Sequence, residues 1–442
     1  MKIVHLLGWF FPDSIGGTEV YVDALCGRLQ ASGYDVRIAA PIARADGGPS
    51  VYRHGGVPVF RYPIPASPSR DEAYQRRPVR GADALYRWLA EEHPDVLHIH
   101  SFTTGVGLPE LREAKRLGLR TVATCHLPGI GYMCRSGELM QWGRVPCDGL
   151  VEPAKCGTCN LARLGVPRPF ADVAGAIPVP LGNVLRRLPG QVGTGLGMSA
   201  SVAEYGAMQR ELFDLVDAFV VLNEAARQML IANGSPPAKL SINRLGLSQP
   251  HVVRKSGPRM RPTGAPVRFG YMGRLHRTKG LHELACAVRR TPADASFTLD
   301  IRGPVGTPAD AAYVGELSRL IDGDCRVRLR EGVPASEVPG VLADLDVLVC
   351  PSMWFENGPT IAIEAQAVGT PVIGSRIGNL AELIVDGVTG RLLPPGDEVA
   401  WAAAMTDVAA RPADTIDLWR DHLPCARTMT EVAADYVALY AA

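Results

Sequence analysis

A chain of 442 residues with 47% apolar residues is too long for one compact core and carries enough apolar residues to build two. Its 46 basic residues nearly cancel its 45 acidic ones, which excludes a whole-chain field suited to nucleic acid and turns attention to small-molecule partners. No apolar run approaches the roughly 20 residues that cross a bilayer, and the opening MKIVHLLGWFFPDSIGG, broken by His5, Pro12 and Asp13, makes a poor secretory signal, so a cytoplasmic protein is expected.

KIVHLLG reads as a buried strand, WFFPDSIGG as a loop, and TEVYVDALCGRLQASG as a helix with Val22, Leu25 and Leu29 on one face and Gly33 as its stop. YDVRIAAP is a second buried strand, and strand, helix and strand together describe a right-handed crossover in a parallel sheet. PDVLHIHS, LPELREAKRLG and LRTVATCH repeat that unit. A cysteine-rich stretch with little periodicity and a Pro-, Gly- and Leu-rich passage over 161–200 follow, then a helix near 201–215 and the strand and helix of VDAFVVLNEAARQMLIANG. Residues 1–247 are therefore expected to form a first domain with a cysteine-rich insertion over 128–160, and 248–266 a linker. VRFGYMG, FTLDIRG, VRLRE, VLVCPS, TPVIGS and GRLLPP supply the strands of a second domain over 267–420, and a helix within 421–442 is expected to pack back on the first. The fold class is α/β, with two doubly wound Rossmann-like parallel-sheet domains facing a cleft and ligands beyond the carboxyl ends of the strands.

Two strand ends concentrate charge. In GYMGRLHRTKGLHEL, Arg274 and Lys279 flank a short loop that opens a helix, and two cations beside free helix N–H groups suit a diphosphate; the plain alternative is a pair of solvated bases. In PSMWFENGPTIAIEAQAVGTPVIG, Glu356 sits in the loop, Pro359 in the first helical turn and Glu364 within the helix. Such carboxylates are good acceptors for vicinal diols, against the alternative of a helix-capping Glu356 and a solvated Glu364.

Other motifs carry less. The D-x-D letters at Asp344–Asp346 and Asp322–Asp324 sit at the wrong end of a strand and in a turn, which argues against a metal. His98 and His100 share a strand face with no third ligand near them in sequence, so burial and hydrogen bonding is the leading reading. RRPVR, 76–80, is a solvated basic turn or a peripheral contact to an anionic lipid. Cys134, Cys147, Cys156 and Cys159 are spaced C-x12-C-x8-C-x2-C, as a closed tetrahedral zinc site requires, with a tight turn expected inside the final pair. Structural zinc leads a [4Fe–4S] cluster, disulfides and unligated thiols, and Cys125 is an alternative ligand.

GGTEV, DVLHIHS, TCH, GRLHRTKG, ENGPTIAIEAQAVGTPVI and AELIVDGVTGRLLPPGD, in that order, resemble a family 4 glycosyltransferase of the GT-B fold over nearly the whole chain. The resemblance implies retaining transfer of a sugar from a nucleotide diphosphate donor, a UDP- or GDP-sugar foremost, to the hydroxyl of a small-molecule, glycan or lipid-linked acceptor, without a catalytic metal. It implies that Arg274 and Lys279 hold the diphosphate, Glu364 the ribose diol and Glu356 the donor-sugar hydroxyls. Asn357, Gly358 and Thr360 complete the donor contacts, Gly16 and Gly17 form a closely approached loop, and His126 stands at the sugar and acceptor. Members often carry a glycine where this chain has Pro359, which has no N–H, leaving Gly358 and Thr360 to donate. Nucleotide-sugar epimerisation or hydrolysis on the same fold, and a non-catalytic nucleotide-sugar-binding subunit, are the alternatives.

Overall fold

The computed structural model describes residues 1–14, 16–44, 47–126, 134, 137–248, 262 and 264–441. Its backbone divides into two units, residues 1–248 with 429–442, and residues 249–428. Most of the 248–266 segment lies outside the described residues.

The first unit holds β1 (Lys2–Leu6), β2 (Asp35–Ala43), β3 (Ser50–His54), β4 (Val57–Ile64), β5 (Val96–Ile99), β6 (Arg120–Cys125), β7 (Met140–Gln141), β8 (Val145–Pro146), β9 (Ala218–Val221) and β10 (Leu240–Ile242). Eight of these form one sheet in the order β10-β9-β6-β5-β1-β2-β4-β3, parallel except for the edge strand β3. Runs such as VLHI and AFVV are buried on both faces, as a helix-covered parallel sheet demands. Chain order reverses between β1 and β5, so the loops after these two strands flank the point where open α/β sheets receive ligands. The Met429–Ala441 helix belongs to this unit: the Tyr21 hydroxyl, on the Gly17–Ala31 helix, donates to that of Tyr436 at 3.1 Å.

The structure corrects the reading of the middle of this unit. Residues 161–200 are mostly helical, with helices Arg168–Gly175, Val179–Leu185 and Gly190–Leu196, and the next helix begins at Met198 rather than near 201. Pro167, Pro178 and Pro189 stand at the N-caps of the three short helices, where proline starts a helix instead of breaking one. Likewise the final C-x-x-C lies on the Pro153–Arg163 helix, with Pro153 in its first turn, and not in a turn. Leu161, Ala171 and Met198 give this region a small core of its own.

The second unit has β11 (Val267–Met272), β12 (Phe297–Arg302), β13 (Val327–Arg330), β14 (Val347–Cys350), β15 (Val372–Ser375) and β16 (Gly390–Leu393) in one parallel sheet ordered β13-β12-β11-β14-β15-β16. Phe269, Phe297, Leu299, Ile301 and Trp401 fill its core. Here chain order reverses between β11 and β14, the strands whose following loops carry Lys279 and Glu356.

Candidate active site

In the second unit, β11 leads to a turn of 3₁₀ helix at Arg277–Lys279, started by His276, whose Nδ1 accepts from the Thr278 N–H. Gly280 then opens the Leu281–Arg290 helix at φ +71°, and a Cβ there would stand 1.9 Å from the Pro351 carbonyl oxygen. The two loops are stitched where the Met353 N–H donates to the Thr278 carbonyl at 2.9 Å. The result is a direct contact across the switch point: Lys279 Nζ donates to Glu356 Oε1 at 2.5 Å, and the Ser352 hydroxyl donates to the same oxygen at 2.5 Å. Trp354 lies under the ammonium, 5.0 Å from it to the ring centre. Burial would raise the Glu356 carboxyl, but the charge and hydrogen bond of Lys279 hold it below the usual range. Glu356 is thus a buried, ionised, paired group and not a helix cap.

Arg274 is exposed in the same loop, its carbonyl accepting from the Tyr271 hydroxyl at 2.9 Å. Asn357 is buried beside Glu356, Gly358 half-buried and Thr360 exposed. The Thr360 N–H already donates to the Gly358 carbonyl at 2.9 Å, so the expectation that it is available to a phosphate is corrected: Pro359 at the N-cap folds the backbone into a tight turn that uses it. Glu364 is half-buried within the Thr360–Ala367 helix, and burial pushes its carboxyl up to about 7. No hydrogen bond or ion pair engages that carboxylate among the described residues, so it is neither fully solvated nor partnered.

In the first unit, Gly16 caps the Gly17–Ala31 helix after β1, and a Cβ on Gly17 would meet nothing within 4 Å, leaving the backbone there open to approach. His126 follows β6 and is buried. It ends a row of imidazoles: His5 Nδ1 and His100 Nε2 are 2.9 Å apart, and His100 Nδ1 and His126 Nε2 3.0 Å apart. His98 is held separately, Nδ1 by the Tyr440 hydroxyl at 2.6 Å and Nε2 by Thr124 at 2.7 Å. Burial drives His5 and His126 down to about 3 and holds His98 and His100 well below the usual imidazole range, so all four are neutral. The ring nitrogens of His5, His98 and His100 lie within 4.8 Å of one another, and His5 is the third imidazole that sequence reading missed. Apart from His5 Nε2, the ring nitrogens of this trio are already in hydrogen bonds, which favours a hydrogen-bonded core over a metal centre. His5 stood in plain view on the first strand, aligned with His98 on the neighbouring one, but a lone histidine in an apolar run gives no sign of its neighbours.

One carboxylate of each D-x-D motif is committed elsewhere, and Asp322 and Asp344 are exposed. Asp346 is buried against Arg268 at 3.1 Å and Arg420 at 3.5 Å, and Asp324 pairs with Arg326 at 2.8 Å. Arg76, in the RRPVR turn, forks onto Glu204 with two bonds of 2.7 Å.

Cys134, Cys147, Cys156 and Cys159 line one cavity together with Met140, Leu150, Val202 and Tyr205. None of the four is in a disulfide. Burial raises Cys147 to about 11 and lifts Cys156 and Cys159 above the usual thiol range, and the nearby charge of Cys134 adds to all three. Cys125 is fully buried at the end of β6 and does not line this cavity.

Residues 16–246 match the family described as Glycosyl transferase 4-like domain, and residues 266–411 that described as Glycosyl transferases group 1. Among curated proteins, the D-inositol 3-phosphate glycosyltransferase of Arthrobacter sp. is 26% identical over 92% of this chain and 84% of its own. That of Corynebacterium diphtheriae is 33% identical over 36% of this chain and 39% of its own. In most such matches the aligned stretch spans about half the relative's length. Two solved structures share the fold over this whole chain: sucrose-phosphate synthase from Thermosynechococcus elongatus, at 18% identity, TM-score 0.66 and 98% of its length, and Anabaena Alr3699/HepE in complex with UDP, at 14% identity, TM-score 0.64 and 100% of its length.

Proposed function

The chain belongs to the glycosyl transferase 4-like family, whose domain stands ahead of a stretch matching glycosyl transferases group 1, and from that premise we propose that it moves a sugar from a nucleotide diphosphate to an acceptor hydroxyl with retention at the anomeric carbon. The observation that carries the reading is the 2.5 Å contact of Lys279 with Glu356 at the switch point of the second sheet. An ammonium has three donors. One goes to Glu356 and two remain for diphosphate oxygens, so a donor can bind without breaking the pair. Arg274 adds a second cation, and the two offset the charge that grows on the diphosphate as the glycosidic bond breaks, which is where fixed charge does most to lower a barrier. Supplying this charge from side chains is the basis for proposing catalysis without a divalent metal.

Glu356 keeps lone pairs for donor-sugar hydroxyls, and Glu364 is the acceptor for the ribose diol. Asn357, Gly358 and the Thr360 hydroxyl border the same strand end. In the first unit, Gly16, Gly17 and His126 serve the sugar and the acceptor. A uridine donor is supported by the neighbours solved with UDP.

The test is a thermal-shift screen of the purified chain against UDP-, GDP-, ADP- and TDP-sugars without added divalent ions, followed by NMR of the product anomer. A donor at 100 times its Kd stabilises by about 2.7 kcal/mol. The expected result is one base and sugar standing out and a retained anomer. Binding of no nucleotide sugar sinks the donor assignment, an inverted product sinks the stereochemistry, and turnover that requires a divalent ion sinks the metal-free chemistry.

A further inference from the structure

We propose that Cys134, Cys147, Cys156 and Cys159 hold one structural zinc ion between the β7–β8 hairpin and the Pro153–Arg163 helix. The four thiols come from three separate pieces of backbone and meet at one cavity. Cys156 and Cys159 lie three residues apart on one face of the helix, Cys147 directly follows β8, and Cys134 precedes the hairpin with its carbonyl fixed by the Tyr205 hydroxyl at 3.2 Å.

One backbone donor already points at a sulfur: the Trp142 N–H donates to Cys159 Sγ at 3.1 Å. A backbone donor to a sulfur is the kind of outer support that the ligands of a metal receive. Four thiolates around a divalent ion leave two excess negative charges. Lys155 stands near Cys147 and Cys156, and Arg163 and Arg168 near Cys159; each also pairs with a carboxylate, of Asp148, Glu138 and Asp172 in turn, so they moderate that charge and do not cancel it.

The hairpin explains why an ion is needed. Its strands are two residues each, far below the length that holds itself together in water. The sulfurs converge without being closed to ligand spacing, since among the described residues only the buried histidine trio brings three ligand atoms within 4.8 Å. Zn–S bonds of about 2.3 Å would draw them together, and four of them fill the tetrahedral shell, leaving no open position for chemistry.

Elemental analysis of the purified full chain should find about one zinc ion per chain and no iron. Replacing zinc by cobalt should give the visible bands of a tetrahedral tetrathiolate ion, a readout that needs no variant. Cys156→Ser and Cys159→Ser should each weaken zinc binding by more than the roughly 10- to 100-fold that loss of an outer partner costs, whereas the exposed Cys325→Ser should not. Should a variant fail to fold, chelation of the unaltered chain decides: four thiols should become reactive as the zinc leaves. Zinc-free protein whose four thiols react before chelation overturns the proposal, as does iron with acid-labile sulfide.

Discussion

Glu364 gives the residue scale its clearest pH signature. Its folded value of about 7 stands above the ordinary 4.5, so between those two values the folded chain holds a proton that the unfolded chain has released. This contribution to stability is therefore complete below the ordinary value and lost as pH rises through about 7. Binding runs the other way, because a ribose diol donates best to the ionised carboxylate. Affinity for a nucleotide sugar, whose diphosphate does not titrate in this range, should be about tenfold weaker at pH 6 than at pH 8, since one pKa unit is a factor of ten. Glu364→Gln should bind weakly and equally at both; calorimetry that finds the same pH slope in the variant removes Glu364 from the donor site. The imidazole row makes a second prediction. His5 Nε2 has no partner among the described residues, and a buried orphan lone pair is more tolerable than a buried orphan N–H. His5 Nδ1–H therefore donates to His100 Nε2, His100 Nδ1–H donates to His126 Nε2, and His126 keeps its proton on Nδ1, acting as a hydrogen-bond donor and not as a base. Nitrogen-15 spectra should show three Nδ1–H tautomers unchanged from pH 5 to pH 9; an Nε2–H signal for His126 reverses the row. That Arg274, Lys279, Glu356 and Glu364 stand near strand ends was legible because each lies beyond or within a short motif there. The row was not, since its members come from three strands whose adjacency no local pattern records.

At the scale of elements, the loop after β11 shows how little freedom positions a cation. Gly280 is left-handed and its missing Cβ leaves room for the Pro351 carbonyl. Gly280→Ala must either move that carbonyl or open the turn that holds Lys279 beside Glu356. The expected cost is about 1 kcal/mol for the backbone conformation alone, with the steric clash added to it. At roughly 2–4 °C of melting temperature per kcal/mol for a unit of this size, the loss should be visible in a thermal scan, together with weakened nucleotide-sugar binding. Unchanged melting and unchanged affinity would mean that the loop is softer than its contacts imply. Most strands were legible from apolar runs punctuated by glycine and proline, but β3 and β4 were not read from the sequence, nor was the order of strands in either sheet. The helices of 153–196 were not, because the same prolines that signal a break inside a helix signal its start at the N-cap, and only the following turn tells which.

For the whole molecule, the first unit depends on residues that lie far away in the chain. Tyr436 joins Tyr21 at 3.1 Å and Thr124 at 2.8 Å, and Tyr440 satisfies a buried nitrogen of His98 at 2.6 Å. Tyr436→Phe with Tyr440→Phe should destabilise the first unit by about 0.5–1.5 kcal/mol for each bond lost. Hydrogen exchange should speed up in β5 and β6 while the second-unit sheet keeps its protection; equal loosening of both sheets would contradict a contribution confined to the first unit. A helix near the end of the chain was foreseen to return to the first domain, but not that its tyrosines would complete the hydrogen bonding of a strand histidine, because residues four apart on a helix show a shared face and not what it meets. The consequence appears while the chain is still on the ribosome. Residues 249–428 are continuous and emerge as a closed set, whereas the sheet that began at Lys2 waits for Met429–Ala441. The half of the protein made first is thus finished last, and a nascent chain stalled between the two would carry one completed unit and one with His98 and the groove for Val432, Tyr436 and Tyr440 still open to solvent, a natural client for a chaperone.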